Sequence, residues 1–491
     1  MRSASTVDFM ADSDSYDVIV IGAGPAGENA ADYAIRGSSR RAVLIESQLV
    51  GGECSYWACM PSKALLGAGA ALDTATGLPG SRPRVVDDQP DSARLFAWRD
   101  SFTENRDDSS QVEWARGAGI DVVRGEGRLV GEREVEVAGR RLRAGEAVVV
   151  ATGSEASIPP IPGLADAAPW TSRDATNLVE VPPRIAVLGG GVVACEAATW
   201  LAELGSEVTM VVRGKALLPS MEPFVGERVS AGLRDRGVDI RFGTTFASVA
   251  RPGVDDTGYG RIHGGPAAVD LANGDGDVVD RLEVDEILVA AGRRPRTVDV
   301  GFESLGIDPK AKLDVDDRLN IAGHDWLYAV GDVNGRAPLT HMGKYQARVA
   351  GDVIAARAEG RSLDGERYAA TADHAAVPQV VFTEPQVGSV GLTEHAARDA
   401  GLDVVTSELD IEVAGSALAR DDYSGRAKLV IDRGRNVLVG ATFVGPDIAE
   451  LVHSATVAVV GEVSIDRLWH AVPSYPTVSE VWLRLLENLR G

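Results

Sequence analysis

The segment that decides the fold reads Asp17-Val18-Ile19-Val20-Ile21-Gly22-Ala23-Gly24-Pro25-Ala26-Gly27. Its apolar run predicts a buried parallel strand, which leads directly into a Gly-x-Gly-x-x-Gly turn and an alanine-rich helix. A second apolar strand, residues 42–45, ends at Glu46, where a carboxylate is expected to hold a ribose hydroxyl. This order predicts a dinucleotide-binding fold, with a tightly packed strand–helix turn as the alternative. The cofactor contacts that it predicts are Gly22, Gly24, Gly27 and Glu46.

A second segment repeats the pattern. Strand residues 184–188 lead into a turn at residues 189–194, in which Ala replaces the third glycine, as the pattern allows. The next apolar strand, residues 208–212, is followed directly by Arg213. A cation at this point suits a 2′-phosphate, so the sequence favours NADPH over NADH, and a solvated surface arginine is the alternative. The predicted contacts of this second site are Gly189, Gly191 and Arg213.

Two of the three cysteines lie close together in Gly51-Gly52-Glu53-Cys54-Ser55-Tyr56-Trp57-Ala58-Cys59-Met60-Pro61-Ser62-Lys63. On a helix, residues i and i+4 share a face and i+5 lies little further round. A small distortion between Cys54 and Cys59 would bring the thiols within disulfide reach, although the geometric tolerance is narrow. The alternative is a pair of buried, inert cysteines.

Composition limits the possible classes of function. A chain of 491 residues is too long for one core and predicts two to four domains. The formal net charge of −23 argues against nucleic-acid binding. Three cysteines do not form a disulfide scaffold, so a reducing compartment is expected. The sequence has neither a secretory leader pattern nor an apolar segment of membrane-spanning length, and it therefore predicts a cytoplasmic protein that does not bind membranes.

The cysteine segment closely resembles the redox-active disulfide of the class I flavoprotein disulfide reductases, a family that includes glutathione reductase, dihydrolipoamide dehydrogenase and mercuric reductase. The family form, Gly-Gly-x-Cys-x-x-x-x-Cys-x-Pro-Ser/Thr-Lys, is matched at each position. The resemblance implies that Cys54 meets the substrate and that Cys59 lies against a flavin. It also implies that Lys63 pairs with Glu196 beside that flavin. The intervening residues 55–58 are bulkier than is usual in the family, and we expect them to reshape access to Cys54.

The resemblance covers nearly the whole chain from Tyr16 onward. Residues 151–153 resemble the junction where the chain leaves the flavin domain, residues 287–295 the strand that closes the nicotinamide domain, and residues 327–332 a second FAD element. His341 is either a ligand contact or a histidine at the start of a helix. Further cofactor contacts predicted here are Gly52, Thr152, Gly153, Gly292, Gly331 and Asp332.

The implied fold class is α/β, with two Rossmann-like dinucleotide-binding domains and a C-terminal α+β dimerisation domain. The first domain would take FAD and the second NAD(P)H, with NADPH preferred and NADH possible. The implied protein partner is a second copy of the chain that shares the active site. The predicted parts are a disordered tail at 1–15, an FAD-binding domain at 16–158 and 297–368, an NAD(P)H-binding domain at 159–296, and a dimerisation domain at 369–491.

One position departs from the family pattern. The terminal motif of most members reads His-Pro-Thr-x-x-Glu, and its His, from the partner subunit, is the acid–base group. Here Tyr475 replaces the His, Glu480 is kept, and His470 is out of register. A tyrosine is a poor general base at neutral pH, but it can donate a proton or a hydrogen bond. Mercuric reductase also has Tyr here, but it ends in a vicinal cysteine pair that delivers the metal. No cysteine follows Cys195 in this sequence, so mercury is not expected as the substrate.

Three functions are consistent with these features. The first is an NAD(P)H oxidoreductase that uses FAD and a Cys54–Cys59 disulfide to reduce a small disulfide-type substrate of unknown identity, positioned by Tyr475 and Glu480. The second passes electrons from the flavin directly to a quinone, dye or metal ion, which the loss of the His base favours. The third is a redox sensor with low turnover, whose thiols switch a surface. No metal-binding site is predicted.

Overall fold

The computed structural model describes residues 14–84 and 89–490. Of the predicted disordered tail, residues 1–13 lie outside the described residues. The first strand begins at Ser15, one residue before the predicted start of the FAD-binding domain. Among the described residues, no helix combines the length and the apolar character needed to cross a bilayer.

The secondary-structure elements follow in chain order. The strands are β1 (Ser15–Ile21), β2 (Ala42–Glu46), β3 (Ile120–Arg124), β4 (Arg128–Gly131), β5 (Glu134–Val137), β6 (Arg140–Val150), β7 (Ser154–Ala156), β8 (Arg184–Leu188), β9 (Glu207–Val212), β10 (Asp239–Phe242), β11 (Thr245–Ala250), β12 (Ala267–Ala272), β13 (Val278–Val284), β14 (Glu286–Val289), β15 (Arg293–Pro295), β16 (Leu327–Ala329), β17 (Pro378–Val381), β18 (Gln386–Gly391), β19 (Val404–Asp410), β20 (Arg426–Asp432) and β21 (Val437–Gly445). The helices are α1 (Pro25–Ile35), α2 (Gly52–Tyr56), α3 (Cys59–Thr76), α4 (Ser92–Phe102), α5 (Ser109–Gly117), α6 (Ser172–Thr176), α7 (Val192–Glu203), α8 (Pro223–Asp235), α9 (Thr340–Ala358), α10 (Ala372–Ala375), α11 (Glu394–Asp399), α12 (Ala414–Ala419), α13 (Leu451–Val460), α14 (Ile465–Leu468) and α15 (Val481–Asn488).

The chain forms two compact units. The first comprises the described residues up to 56 together with 104–155 and 294–373. Its sheet has the order β3-β2-β1-β6-β5-β4, and β16 pairs with the end of β6. Strands β3, β2, β1, β6 and β16 run parallel. Residues 18–21 of β1 are buried in its centre, which explains why this strand is a continuous apolar run.

The second unit comprises residues 57–103, 156–293 and those from 374 onward. A parallel sheet, in the order β10-β9-β8-β14, leads from β8 into α7 through the second glycine turn. An antiparallel sheet has the order β17-β18-β21-β20-β19, and β11, β12 and β13 form a separate antiparallel sheet. One continuous apolar core of this unit joins α3 and α7 to Val381, Val387 and Val444 of the five-stranded sheet.

This architecture contains two strand–turn–helix nucleotide folds and a C-terminal antiparallel sheet, as the sequence predicts. The four predicted residue boundaries between domains stay predictions. The two compact units divide the chain at other points, because residues 57–103, which follow Tyr56, belong to the second unit.

Candidate active site

The cysteine segment contains a break in the helix between the two cysteines. Gly52, with φ +59°, opens α2, which carries Cys54 and ends at Tyr56. A separate helix, α3, begins at Cys59. Ala58 between them has φ −136° and ψ −95°, outside the helical region. The chain is therefore distorted at the point where a disulfide between these cysteines requires it.

The bulky residues between the cysteines are buried. Tyr56 is 2% exposed and Trp57 is 6% exposed. Neither ring is presented to solvent, and the expectation that these residues reshape access to Cys54 stays a prediction. Trp57 packs within the second unit, where the Arg173 guanidinium lies 4.2 Å from the centre of its ring.

The predicted charge pair is formed in the second unit. Lys63 Nζ lies 2.8 Å from Glu196 Oε2. The other carboxylate oxygen, Oε1, accepts the Phe382 N–H at 3.0 Å, and the ammonium group lies 4.8 Å from the Phe382 ring centre. Glu196 is 4% exposed. Both oxygens of a buried carboxylate are thus satisfied, and a cation is held one turn after Cys59.

The first glycine turn has the shape of a pyrophosphate site. Gly22 has φ +100°, and a Cβ there would collide with the Ala151 carbonyl oxygen. Gly24 differs, because a Cβ on it would meet only Gly52 Cα, at 3.9 Å. No contact with the residues that the structure describes therefore requires glycine at position 24. Gly24 is the N-cap of α1, where no side chain caps the helix, so backbone N–H groups stay available for a phosphate. The residues present fit a dinucleotide such as FAD.

Glu46 ends β2 at the predicted position. Its Oε2 accepts the Ala23 N–H at 2.8 Å and its Oε1 accepts the Gln48 N–H at 2.7 Å. These two bonds fix the carboxylate beside the glycine turn. Its contact with a ribose stays a prediction.

The second FAD element is anchored by side chains that the sequence analysis missed. Ser154 Oγ donates to Asp332 Oδ2 at 2.6 Å. The Gly331 N–H donates to Gln346 Oε1 at 2.7 Å, and Gln346 Nε2 donates to Asp373 Oδ2 at 2.8 Å. The position of Ser154, directly after the predicted Gly153, is a signal that could have identified it. A fully buried glutamine in the middle of α9 has no such local signal.

The junction residues are held by the backbone of the same unit. Thr152 Oγ1 donates to the Arg296 carbonyl oxygen at 2.6 Å, and the Arg296 N–H donates to the Gly153 carbonyl oxygen at 2.9 Å. In the second unit, Gly292 has φ +138° and its carbonyl oxygen accepts the Ser157 N–H at 3.0 Å. These bonds fix both junctions, and the predicted cofactor contacts there stay predictions.

Another acid missed by the sequence analysis is Glu28, in the first turn of α1. Burial raises the pKa of Glu28 to about 7; Lys344 opposes this shift and Glu46 adds to it. Its Oε1 is buried and lacks a hydrogen-bond partner among the described residues. A charged carboxyl directly after the third glycine of a phosphate-binding turn would repel a bound phosphate, which is the sequence signal that could have marked this position.

The second glycine turn has the same form as the first. Gly189 has φ +137° and lies against the Ala290 carbonyl oxygen, whereas a Cβ on Gly191 would meet no atom within 4 Å. Gly191 is the N-cap of α7 and again no side chain caps the helix. Arg213 follows β9 and is exposed, as is Lys215. Neither cation forms an ion pair within the described residues, so both are available to an anion.

The C-terminal positions differ sharply in exposure. Tyr475 is 77% exposed, whereas Glu480 is 7% exposed. The Glu480 Oε2 atom is buried without a hydrogen-bond partner among the described residues. His470 is exposed and follows α14, and His341 is exposed in the first turn of α9. A subunit contact to Tyr475 and a ligand contact to His341 stay predictions.

Residues that could hold a metal ion do not cluster in the described parts of the chain: no group of three or more His, Cys, Asp or Glu side chains has the required arrangement there. Cys195 is buried in α7, and burial raises the pKa of its thiol. This third cysteine is therefore an inert packed side chain.

Comparison with known proteins identifies the family. The model of the family described as pyridine nucleotide-disulphide oxidoreductase matches residues 16–351, and the model of its dimerisation domain matches residues 377–485. A mercuric reductase of Staphylococcus aureus is 30% identical over 97% of this chain and 83% of its own length. A dihydrolipoyl dehydrogenase of Thermus scotoductus is 33% identical over 97% of both chains.

A solved structure shows the same fold. The Cu(II) complex of RclA, an HOCl-induced flavoprotein disulfide reductase from Escherichia coli, has a TM-score of 0.79 at 25% identity, covering 96% of this chain and 99% of RclA. Members of this family are oxidoreductases that use FAD and NAD(P)H. The fold, the cysteine motif and the matched residues together lead to one conclusion: this chain belongs to the pyridine nucleotide-disulphide oxidoreductase family and carries that family's dimerisation domain.

Proposed function

We propose that this protein is a homodimeric, NADPH-preferring flavoprotein reductase whose Cys54–Cys59 pair reduces a small disulfide-type substrate. The observation that carries the proposal is the Lys63–Glu196 ion pair, at 2.8 Å, on the helix that begins at Cys59. A fixed cation and a fully bonded carboxylate at this point provide electrostatic stabilisation without reorganisation during electron transfer.

The residues proposed to hold FAD lie in the first unit. The glycine turn and Glu46 would bind the pyrophosphate and ribose, and Asp332, oriented by Ser154, would bind the ribitol chain. When bound, the flavin supplies two electrons at a time from a nicotinamide hydride.

The protein's own chemistry is a thiol–disulfide exchange. Two electrons and one proton break the Cys54 Sγ–Cys59 Sγ bond and leave one thiol and one thiolate, between which the proton exchanges. The Cys54 thiolate then attacks one sulfur of the substrate disulfide, forming a mixed disulfide and releasing the first substrate thiolate, which takes up a proton. Attack by Cys59 on the Cys54 sulfur releases the second substrate thiolate and restores the protein disulfide.

Tyr475 of the partner subunit is proposed to assist this exchange as a hydrogen-bond donor to the leaving thiolate. Its exposure of 77% leaves the phenol available to a second subunit. Glu480, five residues later and 7% exposed, is proposed to help position Tyr475 from within the fold. This arrangement suits a substrate whose leaving thiol needs little help from a base.

The preference for NADPH rests on charge at the carboxyl end of β9. Arg213 and Lys215 are exposed there, and neither forms an ion pair within the described residues. The last residue of the strand, Val212, is apolar, so no acid repels a 2′-phosphate at that position. An arginine fork and a nearby ammonium group match phosphate oxygens.

The experiment is steady-state NADPH oxidation by Cys54→Ser, with Cys195→Ser as the matched control. The proposal predicts that Cys54→Ser abolishes turnover with disulfide substrates and that flavin reduction by NADPH continues. Cys195→Ser, at a buried cysteine outside the motif, should keep both reactions. Disulfide turnover by Cys54→Ser at the wild-type rate would contradict the proposal.

Direct reduction of a quinone, dye or metal ion is the second candidate. The observation that favours it is Tyr475 at the position of the usual base. Relatives named for metals, a mercuric reductase and the Cu(II) complex of RclA, add support for a metal-ion acceptor. The same variant separates the two functions, because direct reduction would survive in Cys54→Ser.

A further inference from the structure

We propose that Thr176 and Arg173, on α6, are positioning residues for the Cys54–Cys59 pair and act through Trp57. This inference rests on the proposed function, since it assumes that the two cysteines form a redox couple. It assigns to α6 the task of holding the short segment between the cysteines in the conformation that favours the disulfide.

Trp57 is fixed through both its backbone and its ring. Thr176 Oγ1 donates to the Trp57 carbonyl oxygen at 2.9 Å, and its other acceptor, the Arg173 carbonyl oxygen, is farther away at 3.3 Å. The Arg173 guanidinium lies 4.2 Å from the centre of the indole ring, within cation–π distance. Trp57 is 6% exposed and Thr176 is 3% exposed, so solvent does not weaken the hydrogen bond between them; Arg173 is half-buried.

The helix that makes these contacts is itself anchored. Thr171 and Asp174 form a capping box at the start of α6. At its other end, Arg99, which is 2% exposed, donates through Nη1 to the carbonyl oxygens of Thr176 and Leu178, at 3.3 and 2.6 Å. A five-residue helix fixed at both ends is a rigid support for the residue that it holds.

The location of Trp57 gives this support a chemical consequence. Trp57 and the non-helical Ala58 are the residues that separate α2 from α3. Forming the disulfide closes a small ring through this segment, with the loss of two electrons and two protons from the two thiols. A disulfide tolerates a narrow range of geometry. Holding the segment in advance removes part of the ordering cost of closing the ring, so the disulfide is favoured and the pair becomes harder to reduce.

The test measures the dithiol–disulfide equilibrium of three variants against the wild type. Thr176→Val removes the hydroxyl donor at nearly constant volume, and Arg173→Met removes the cation over Trp57. Thr199→Val is the matched control: its buried hydroxyl donates to the Cys195 carbonyl oxygen, at 2.9 Å, a bond within α7 and not to the residues between the cysteines. The protein with bound FAD is equilibrated in dithiothreitol buffers of graded potential, quenched in acid and alkylated, and the modified Cys54 and Cys59 are counted by mass spectrometry.

We expect Thr176→Val and Arg173→Met each to shift the equilibrium toward the dithiol by about tenfold, which raises the midpoint potential by ~30 mV for a two-electron couple. Thr199→Val should match the wild type. Wild-type potentials in both α6 variants, or an equal shift in Thr199→Val, would overturn the inference. If Thr176→Val fails to fold, Arg173→Met decides. A wild-type protein with no reducible Cys54–Cys59 disulfide would instead refute the proposed function itself.

Discussion

Glycines that look alike in the sequence are required for different reasons. At Gly22 the backbone itself demands glycine, through a φ of +100° and the nearby Ala151 carbonyl oxygen. At Gly24 the surrounding protein leaves room for a methyl group. A requirement for glycine there must come from a ligand that approaches the backbone. A substitution at Gly24 should therefore weaken cofactor binding without affecting folding.

Gly24→Ala should fold normally and bind FAD at least about tenfold more weakly, because the methyl group would occupy space that the pyrophosphate needs. The change in unfolding free energy of the apoprotein should stay below about 1 kcal/mol, since the N-cap loses no side-chain bond. Fluorescence titration of the apoprotein with FAD and urea unfolding measure the two quantities. Gly117→Ala, at a helical glycine with open space around its Cβ, is the control. Unchanged FAD affinity in Gly24→Ala would contradict the assignment.

Arg213→Ala should raise the KM for NADPH about tenfold and leave the KM for NADH unchanged, because only NADPH carries the 2′-phosphate that a charged hydrogen bond would hold. Steady-state kinetics with both nucleotides measure this ratio. Arg433→Ala, at an exposed arginine that lies 3.8 Å from Asp403, is the control for a simple change in surface charge. An equal rise in the KM values for NADPH and NADH would show that Arg213 does not bind the 2′-phosphate.

Among the secondary-structure elements, buried strands could be predicted from continuous apolar runs, but the break between α2 and α3 could not. The strands β1, β2, β8 and β9 lie where their apolar runs predict, because strands buried on both faces have few polar residues. The break at Trp57 and Ala58 has no glycine or proline to mark it. It depends on contacts with α6, more than a hundred residues later in the chain, which local patterns do not contain.

A buried histidine is one of the residues that anchor the long connection between β11 and β12. Both ring nitrogens of His263 face carbonyl oxygens, Nδ1 that of Ala168 at 2.8 Å and Nε2 that of Gly258 at 3.0 Å. Burial alone would lower the pKa of His263, but these two acceptors, with Glu286 nearby, raise it above its ordinary value. Only the protonated ring donates to both oxygens at once.

This histidine should make stability depend on pH. Because its pKa is higher in the folded state, the stabilisation is complete below the unfolded pKa, near 6.5, and is lost as the pH rises through the folded value. Urea unfolding of wild type and His263→Gln from about pH 6 to about pH 9 measures this effect. The excess stability of the wild type should shrink toward alkaline pH. An excess that stays constant would contradict a charged His263.

At the scale of the whole molecule, the sequence predicted the fold class and the family but not the acceptor. The family resemblance was sufficient to predict the pairing of Lys63 with Glu196, because both residues match positions of the family motif. The chemistry at Tyr475 was not predictable in this way. The Tyr475 side chain is 77% exposed, so the environment of its phenol depends on the surface that packs against it.

Mixed dimers test whether two subunits share one active site. Cys54→Ser and Tyr475→Ala are each expected to lose disulfide turnover. If Tyr475 serves the Cys54 of the other subunit, each mixed dimer contains one intact site. Random subunit exchange between equal amounts of the two variants makes half of the dimers mixed, and each mixed dimer keeps one of its two sites. Turnover should therefore return to about a quarter of the wild-type value. Turnover that stays at the level of the parent variants after exchange, verified by mass spectrometry, would contradict a site shared between subunits.

The central claim is that the Cys54–Cys59 pair lies in the electron path. The most direct test is an anaerobic titration of the purified protein with NADPH, followed by visible absorbance. Addition of two electrons is predicted to produce a long-wavelength charge-transfer band while the main flavin absorbance remains oxidised, and Cys59→Ser is predicted to lose that band. Bleaching of the flavin from the first addition, with no such band, would contradict the claim and assign the protein to direct reduction of a quinone, dye or metal ion.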